Sequence, residues 1–191
     1  MEHRHEPGAS HLGRRTVLGG ASAALLASAA GGAAAAEETP LPNGPLSEIP
    51  IVLPRTEFVY EAVFDLEPVM MLGQGPLGER RIIPISGGEF AGPRIKGKVV
   101  PGGADRQLIR GDGAHMLNAL YELQADDGAV ITVNNRVLID KRPDGAPYAF
   151  SSIDVTAPEG SHDWLNHLVF VGTLHSMAPK PNVLIRVYSL T

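Results

Sequence analysis

The middle of the chain holds two carboxylates and two arginines of the types that proton transfer and anion binding require. Glu89 follows a glycine pair in a predicted loop, where it can act as a general acid or base. Asp105 follows a second glycine pair and opens a predicted strand. Arg80 and Arg81 are adjacent, so on a strand one of them faces inward, where it can hold a carboxylate, phenolate or enolate oxygen. The sequence therefore predicts Glu89 and Asp105 as catalytic candidates and the two arginines as ligand-binding candidates.

Each of these residues also has a purely structural interpretation, which the sequence leaves open. An arginine can pair with a neighbouring carboxylate, Glu89 can be a solvated surface carboxylate, and Asp105 can accept backbone amides in an Asx turn. The choice depends on which of these side chains the fold turns inward.

A second group of candidates lies in the segment from His162 to His167. Trp164 and Asn166 stand at strand spacing on one face, which suits a ligand wall or a plug at the end of the fold. An inward Asn166 would orient a carbonyl. The two histidines lie five residues apart, a spacing that fits neither one helical face nor one strand face, and zinc needs three or four converging ligands. We predict no metal site.

The stretch GPRIKGKV, residues 92–99, is one residue short of a phosphate-binding loop. Val99 stands where that loop needs the hydroxyl that binds magnesium, and Pro101 follows too soon for a helix to begin there. A β-branched valine and a glycine that permits a bend are typical of a strand instead. The sequence therefore predicts no nucleotide site, and no cofactor.

Alternation with a period of two dominates the chain from Glu57 onward and predicts strands. It is clear in residues 117–124 and 183–188, and Asp-Gly pairs at 112–113, 127–128 and 144–145 predict hairpin turns of type I′ between long antiparallel strands. About nine strands follow. They are predicted near residues 57–66, 79–86, 94–100, 104–111, 114–125, 129–139, 148–157, 167–174 and 182–190. We predict an all-β fold, a single antiparallel β-barrel of about 8–9 strands, with an open sandwich as the alternative.

The glycine-rich stretch from Gly78 to Asp105 resembles the signature of DUF3237, also called UPF0311, a bacterial family of uncharacterised function. Matching positions are Gly78, Arg80, Arg81, Pro84, Ile85, Gly87-Gly88, Phe90, Gly92-Pro93, Gly97, Val99 and Gly102-Gly103-Ala104-Asp105. The resemblance continues through residues 112–113, 126–129, 164–166 and 170–172, so that it spans about residues 57–191. It implies a lipocalin-like or calycin-like barrel with an interior cavity, and no established activity.

The first 36 residues are typical of a twin-arginine export signal. Arg14-Arg15 precedes a weakly apolar run that ends at Ala33–Ala36, and a membrane anchor would need about 20 strongly apolar residues. Five prolines mark residues 37–55 as an extended linker. We therefore predict a signal at 1–36, a linker at 37–55 and a barrel domain at 56–191. The protein is expected to use the twin-arginine translocase, to reach the periplasm or the outside of the cell, and to have no stable membrane insertion.

Composition narrows the class of partner. The chain carries 16 Lys and Arg against 21 Asp and Glu and shows no basic patch, so nucleic acid is not an expected partner. It has no cysteine, so an exported domain must rely on its core rather than on disulfides. A homodimer is compatible with the sequence.

Three functions from different classes are compatible with the sequence. The first is an exported barrel that binds a small-molecule ligand, partly apolar and oxygenated or anionic, in its interior. The second is a cofactor-free lyase, isomerase or cyclase that uses an arginine to hold an oxyanion and a carboxylate for proton transfer. The third is a structural or assembly protein.

Overall fold

The computed structural model describes residues 51–191, and they form strands joined by short turns. The strands are β1 (Thr56–Leu66), β2 (Met70–Gly75), β3 (Gly78–Ala91), β4 (Lys96–Val99), β5 (Ala104–Arg110), β6 (His115–Ala125), β7 (Val130–Lys141), β8 (Pro147–Thr156), β9 (Phe170–Ser176) and β10 (Asn182–Leu190). One short 3₁₀ helix, Asp163–His167, lies between β8 and β9. The predicted all-β class is confirmed.

The sheet closes on itself. Strand β1 pairs with β10 on one side and with the second half of β3 on the other, from Glu61↔Ala91 to Leu66↔Ile85. Strands β4 and β5 lie end to end between β3 and β6, so together they occupy one place in the ring. The result is an antiparallel barrel of eight strand positions, with β2 added beside the first half of β3. Closure excludes the open sandwich.

The Asp-Gly pairs form the hairpin turns, but not in the predicted type. The Gly113 amide donates to the Arg110 carbonyl, and Gly113 has a φ of 89°. The glycine is therefore the last residue of a four-residue turn rather than one of its two central residues, which is the arrangement of a type I turn followed by a left-handed glycine. The Asp112 carboxylate accepts from the Ala114 amide at 3.2 Å. Gly128 and Gly145 repeat this arrangement.

Nine of the ten strands were predicted within a few residues. The tenth, β2, was missed because it alternates poorly and contains two glycines, and its first five residues are exposed. Strand β3 is longer than predicted, because Gly87 and Gly88 lie inside it rather than in a loop. At one end of the barrel the 3₁₀ segment packs Leu165, which is 1% exposed, into the core. The other end carries the β5–β6, β7–β8 and β9–β10 hairpins.

The predicted export signal and residues 37–50 of the predicted linker lie outside the described residues. Residues 51–55 precede β1 without regular structure, and Arg55 exchanges backbone hydrogen bonds of 2.9 Å with Thr191. Between residues 51 and 191 no helix is long and apolar enough to cross a membrane.

Candidate functional site

A cavity of about 160 Å³ lies inside the barrel. Its wall is mostly aliphatic and aromatic, because inward positions alternate with outward ones along every strand. The lining residues come from seven strands. The apolar ones are Phe64, Leu66, Ile83, Ile85, Leu117, Ala119, Val137, Ile139, Leu174, Val183 and Ile185, and the others are Arg81, Asp105, Gln107, His115, Tyr121 and Asn135. A few polar groups in an apolar cavity are the usual composition of a small-molecule site.

Three of the polar side chains form a hydrogen-bonded chain across β3 and β5. The Arg81 Nε donates to Gln107 Oε1 at 2.7 Å, and Gln107 Nε2 donates to Asp105 Oδ2. The other carboxylate oxygen of Asp105 accepts from the backbone amide of Asn118 at 3.1 Å. Arg81 and Gln107 are register partners, and Asp105 lies two residues before Gln107 on the same face, so the barrel wall itself brings the three together. We call Arg81, Gln107 and Asp105 the polar chain.

Asp105 is the carboxylic acid of the cavity lining, and its pKa is shifted by burial. Burial raises the pKa of its carboxyl above the usual range, and the hydrogen bonds from Gln107 and Asn118 and the charge of Arg81 oppose that shift. Desolvation therefore outweighs three favourable contacts. A carboxyl with a raised pKa in a partly dry site is suited to giving and taking a proton.

The terminal nitrogens of Arg81 are available to a ligand. Within residues 51–191 the guanidinium makes one hydrogen bond, through Nε, and no ion pair. A guanidinium held by one nitrogen keeps a fork of donors that fits a carboxylate or a single oxygen anion.

Deeper in the barrel, Tyr121 and Asn135 add two polar groups to the lining. Tyr121 is 1% exposed and Asn135 is 2% exposed. The Tyr121 hydroxyl lies next to the Asn135 side chain and the Tyr60 hydroxyl, so the three buried polar groups form one cluster. Burial, with Tyr60 beside it, raises the pKa of Tyr121 well above its ordinary value, so this hydroxyl stays protonated. At the hairpin end, His115 lines both this cavity and a surface depression next to the β7–β8 turn.

The fold separates the predicted residues from one another. Arg81 faces the cavity and Arg80 is exposed on the outer face, as their adjacency required. Asp105 also lines the cavity. Glu89 does not lie in a loop at the barrel mouth: it is part of β3, exposed, and borders an outer depression with Lys98. A β-bulge at Ser86 lies opposite the end of β1, and with the glycine pair that follows it the strand continues through Glu89 instead of ending.

Trp164 and Asn166 lie away from the cavity lining, at the end of the barrel that the 3₁₀ segment covers. The guanidinium of Arg94 stacks on the Trp164 ring at 3.9 Å. The Asn166 side chain accepts from the Ala157 amide at 2.8 Å and donates to the Ala157 carbonyl at 3.0 Å. These contacts fix the loop between β8 and β9. The two residues lie in a 3₁₀ helix rather than on the strand that the spacing assumed, and the Asn166 side chain is turned toward backbone rather than toward the cavity.

Sequence reasoning missed four polar residues of the cavity. Gln107 and Asn135 had a usable signal: each is the polar member of an inward row, Asn135 between Val133 and Val137 and Gln107 two residues after Asp105. The roles of His115 and Tyr121 depend on barrel closure and had no comparable signal. Among the described residues no three histidine, aspartate or glutamate side chains are arranged to hold a metal ion.

Comparison with known proteins connects this site to a family. The model of the DUF3237 family, described as a protein of unknown function, matches residues 54–190. The chain belongs to this family. A UPF0311 protein of Clostridium acetobutylicum is 31% identical over 154 residues, which cover 71% of this chain and 96% of that protein. The crystal structure of a conserved protein of unknown function from Rhodopseudomonas palustris superposes with a TM-score of 0.69 at 30% identity, covering 74% of this chain and all of that one.

A more distant relative of this DUF3237 chain has a named activity. A hydroalkoxylation enzyme of Penicillium herquei is 28% identical over 120 residues, covering 63% of this chain and 74% of that enzyme. A crystal structure of an enzyme from the same fungus has a TM-score of 0.62 at 22% identity, which shows a shared fold.

Proposed function

We propose that this barrel binds a small, largely apolar molecule carrying an oxygen atom, with the oxygen held at Arg81. The polar chain supports this proposal more than any other feature, because it places one guanidinium and one carboxyl in a wall that is otherwise aliphatic. A purely structural core has little reason to keep such groups, since replacing a buried, paired polar set by well-packed apolar side chains is often neutral or stabilising. The cavity of about 160 Å³ limits the ligand to roughly one ring, because about 150 Å³ is enough for benzene.

Native mass spectrometry of the purified protein tests this function. A discrete added mass that organic solvent releases as a small molecule is the expected result. Arg80→Met is the matched control for Arg81→Met, because the two arginines are neighbours on opposite faces of β3. The added mass should survive the first substitution and be lost with the second. Loss in neither variant, or in both, contradicts a role for Arg81 in holding the ligand.

A second candidate is a cofactor-free enzyme, favoured by the raised pKa of Asp105 and by the relative named as a hydroalkoxylation enzyme. Hydroalkoxylation adds an alcohol O–H across a carbon–carbon double bond. The oxygen forms a bond to one carbon as the π bond breaks, and the hydroxyl proton ends on the other carbon, so no oxidant or reductant is needed. In this chain Asp105 would carry that proton and Arg81 would hold an oxyanion conjugated with the double bond. The same groups serve the lyase, isomerase and cyclase chemistry that the sequence suggested.

We also propose that the protein is exported by the twin-arginine translocase. The support is the sequence of residues 14–36 alone, where paired arginines precede a weakly apolar run that ends in four alanines. Export would place the proposed binding function in the periplasm or outside the cell.

A further inference from the structure

His115 and Ile139 lie at the boundary between the interior cavity and the outer surface of the barrel. The two residues are register partners on β6 and β7, and both are half-buried. Both line the cavity of about 160 Å³, and both also line a depression of about 470 Å³ beside the β5–β6 and β7–β8 turns. The opposite end of the barrel is covered by the 3₁₀ segment. The cavity therefore meets the solvent at His115 and Ile139, which we call the rim.

The rim lies one inward position closer to the hairpin end than Arg81. Arg81 pairs with Gln107, and Gln107 pairs with Leu117 of β6. His115 is the next inward residue of β6 toward the hairpin end. Two residues of a strand span about 7 Å. A molecule with an oxygen at Arg81 therefore needs a substituent of only a few atoms to pass the rim.

The depression beyond the rim is polar but has balanced charge. Its charged residues are Asp112, Asp140 and Lys141. Asp112 is ion-paired with Arg110, so two acidic groups stand against two basic ones. No side chain in the described part of the chain hydrogen-bonds to the His115 ring, whose nitrogens can donate to or accept from an oxygen. These features suit a neutral polar group, such as a hydroxyl, better than a second charge.

We propose that the rim and the depression form a second subsite, which receives a short side chain of the ligand, and that His115 contacts a hydroxyl on this side chain. The inference rests on the proposed binding function, in which Arg81 holds an oxygen of the ligand, and it adds the chemical class of the ligand. The interior holds roughly one ring, since about 150 Å³ is enough for benzene, so a longer ligand must extend past the rim. The ligand class is a single ring that carries one oxygen directly and a second oxygen on a short hydroxyalkyl chain.

The two strands supply matched controls for the rim. Leu138 and Met116 are the chain neighbours of Ile139 and His115, and both are exposed on the outer face. Ile139→Trp narrows the passage between cavity and depression, whereas Leu138→Trp adds the same ring on the opposite face of β7. His115→Phe keeps an aromatic ring at the rim and removes its nitrogens, and Met116→Phe places the same ring on the outer face of β6.

The experiment measures affinities by isothermal titration calorimetry for phenol, the three isomers of ethylphenol and the three isomers of (2-hydroxyethyl)phenol. At least one hydroxyethyl isomer should bind about fivefold more tightly than phenol, because its chain is removed from water and its hydroxyl is paired. It should exceed the ethylphenol of the same substitution by about two- to tenfold, the contribution of one hydrogen bond.

The variants separate passage through the rim from contact with His115. Ile139→Trp should bring the preferred isomer to within about twofold of phenol and leave phenol itself within about twofold. His115→Phe should remove only the advantage of the hydroxyethyl isomer over the ethylphenol. Leu138→Trp and Met116→Phe should keep both preferences. Melting temperatures of the free variants show whether each one is folded, and the His115→Phe comparison decides alone if Ile139→Trp is not.

The outcomes distinguish the second subsite from the binding function. If no hydroxyethyl isomer binds more tightly than phenol, or if the preference survives Ile139→Trp, the subsite is overturned, while phenol binding that depends on Arg81 keeps the function. A hydroxyl advantage that survives His115→Phe overturns the contact with His115. Equal losses of phenol and of the preferred isomer in Ile139→Trp overturn a separate subsite. Binding of none of the probes contradicts both the subsite and the function.

Discussion

Arg81 and Gln107 lie side by side on β3 and β5, and the 2.7 Å hydrogen bond from Arg81 Nε to Gln107 Oε1 determines which way the glutamine amide faces. Arginine only donates, so the amide oxygen must turn toward it. The amide nitrogen then turns toward Asp105, whose carboxylate accepts. This orientation of the Gln107 amide allows both hydrogen bonds, so the polar chain holds Asp105 in place with Arg81 beside it.

The first prediction concerns the two neighbouring arginines. Arg81→Met should weaken phenol binding about tenfold or more, because a hydrogen bond from a charged group contributes more than a neutral one. Arg80→Met should leave the affinity within about twofold, since that side chain is exposed on the outer face. Isothermal titration calorimetry measures both. Equal losses in the two variants would show that the cavity arginine has no special role.

Replacing Asp105 by asparagine distinguishes a binding protein from an enzyme. The amide cannot exchange a proton, and it cannot accept from both Gln107 and the Asn118 amide, so one of these contacts is lost. In a binding protein, Asp105→Asn should change phenol affinity only a few-fold. In an enzyme it should abolish turnover of an unsaturated alcohol while binding persists. Glu89→Gln is the control and should change neither quantity, because Glu89 lies on the outer face.

Gly88 is predicted to be essential for closing the barrel. It has a φ of 139°, and a Cβ there would lie 2.0 Å from the Val63 carbonyl oxygen on β1. Gly88→Ala should lower the free energy of unfolding by at least about 2 kcal/mol, because the backbone strain and the clash act together. Gly111→Ala is the control, since nothing lies within 4 Å of a Cβ at that position. Urea denaturation compares the two, and similar losses would contradict this role for Gly88.

The contact between the β6–β7 turn and the segment before the 3₁₀ helix should depend on pH. The Ser161 hydroxyl, the Ala129 amide and His162 hold the pKa of Asp127 below its usual value. Because the folded pKa lies below the unfolded one, the ionised carboxylate stabilises the fold above about pH 4, and this contribution is lost as the pH falls through the lowered pKa. The stability difference between the unsubstituted protein and Asp127→Asn should therefore shrink as the pH is lowered from about 6 to 2.

Asp126→Asn is the control for this pH dependence. Asp126 is the neighbouring carboxylate and pairs with Lys96 at 3.4 Å, with both side chains largely exposed, so its substitution should change stability little. Thermal melts over the same pH series measure both variants. A difference for Asp127→Asn that persists unchanged at the acid end would contradict the assigned role of its charge.

Export is tested separately from the cavity. Replacing Arg14-Arg15 by two lysines should retain the full-length protein inside the cell, because the twin-arginine route reads that pair. Cell fractionation with an antibody to the barrel measures the distribution. If the substitution leaves the localisation unchanged, the export proposal is contradicted and the proposed binding function is not affected.

The sequence predicted the barrel wall better than it predicted the cavity. Alternation and the Asp-Gly pairs are local signals. They therefore located nine of the strands and three of the hairpin turns. The cavity depends on residues that are distant in the chain. Arg81 contacts Gln107 because β5 pairs with β3, and Asp105 and Asn135 lie on either side of Ala119 because β5 and β7 both pair with β6. Glu89 was misplaced for a related reason. Gly87-Gly88 indicated a loop, but both glycines lie inside a long strand, directly after a β-bulge.

The central claim is that the barrel interior binds a small oxygenated molecule at Arg81, and NMR titration of the ¹⁵N-labelled protein with phenol tests it most directly. The account predicts saturable amide shifts concentrated at β3, β5 and β6 around Arg81, Gln107 and Asp105, with the same shifts absent in Arg81→Met and present in Arg80→Met. Shifts confined to the outer face near Arg80 and Glu89, or no saturable shifts at all, would contradict it.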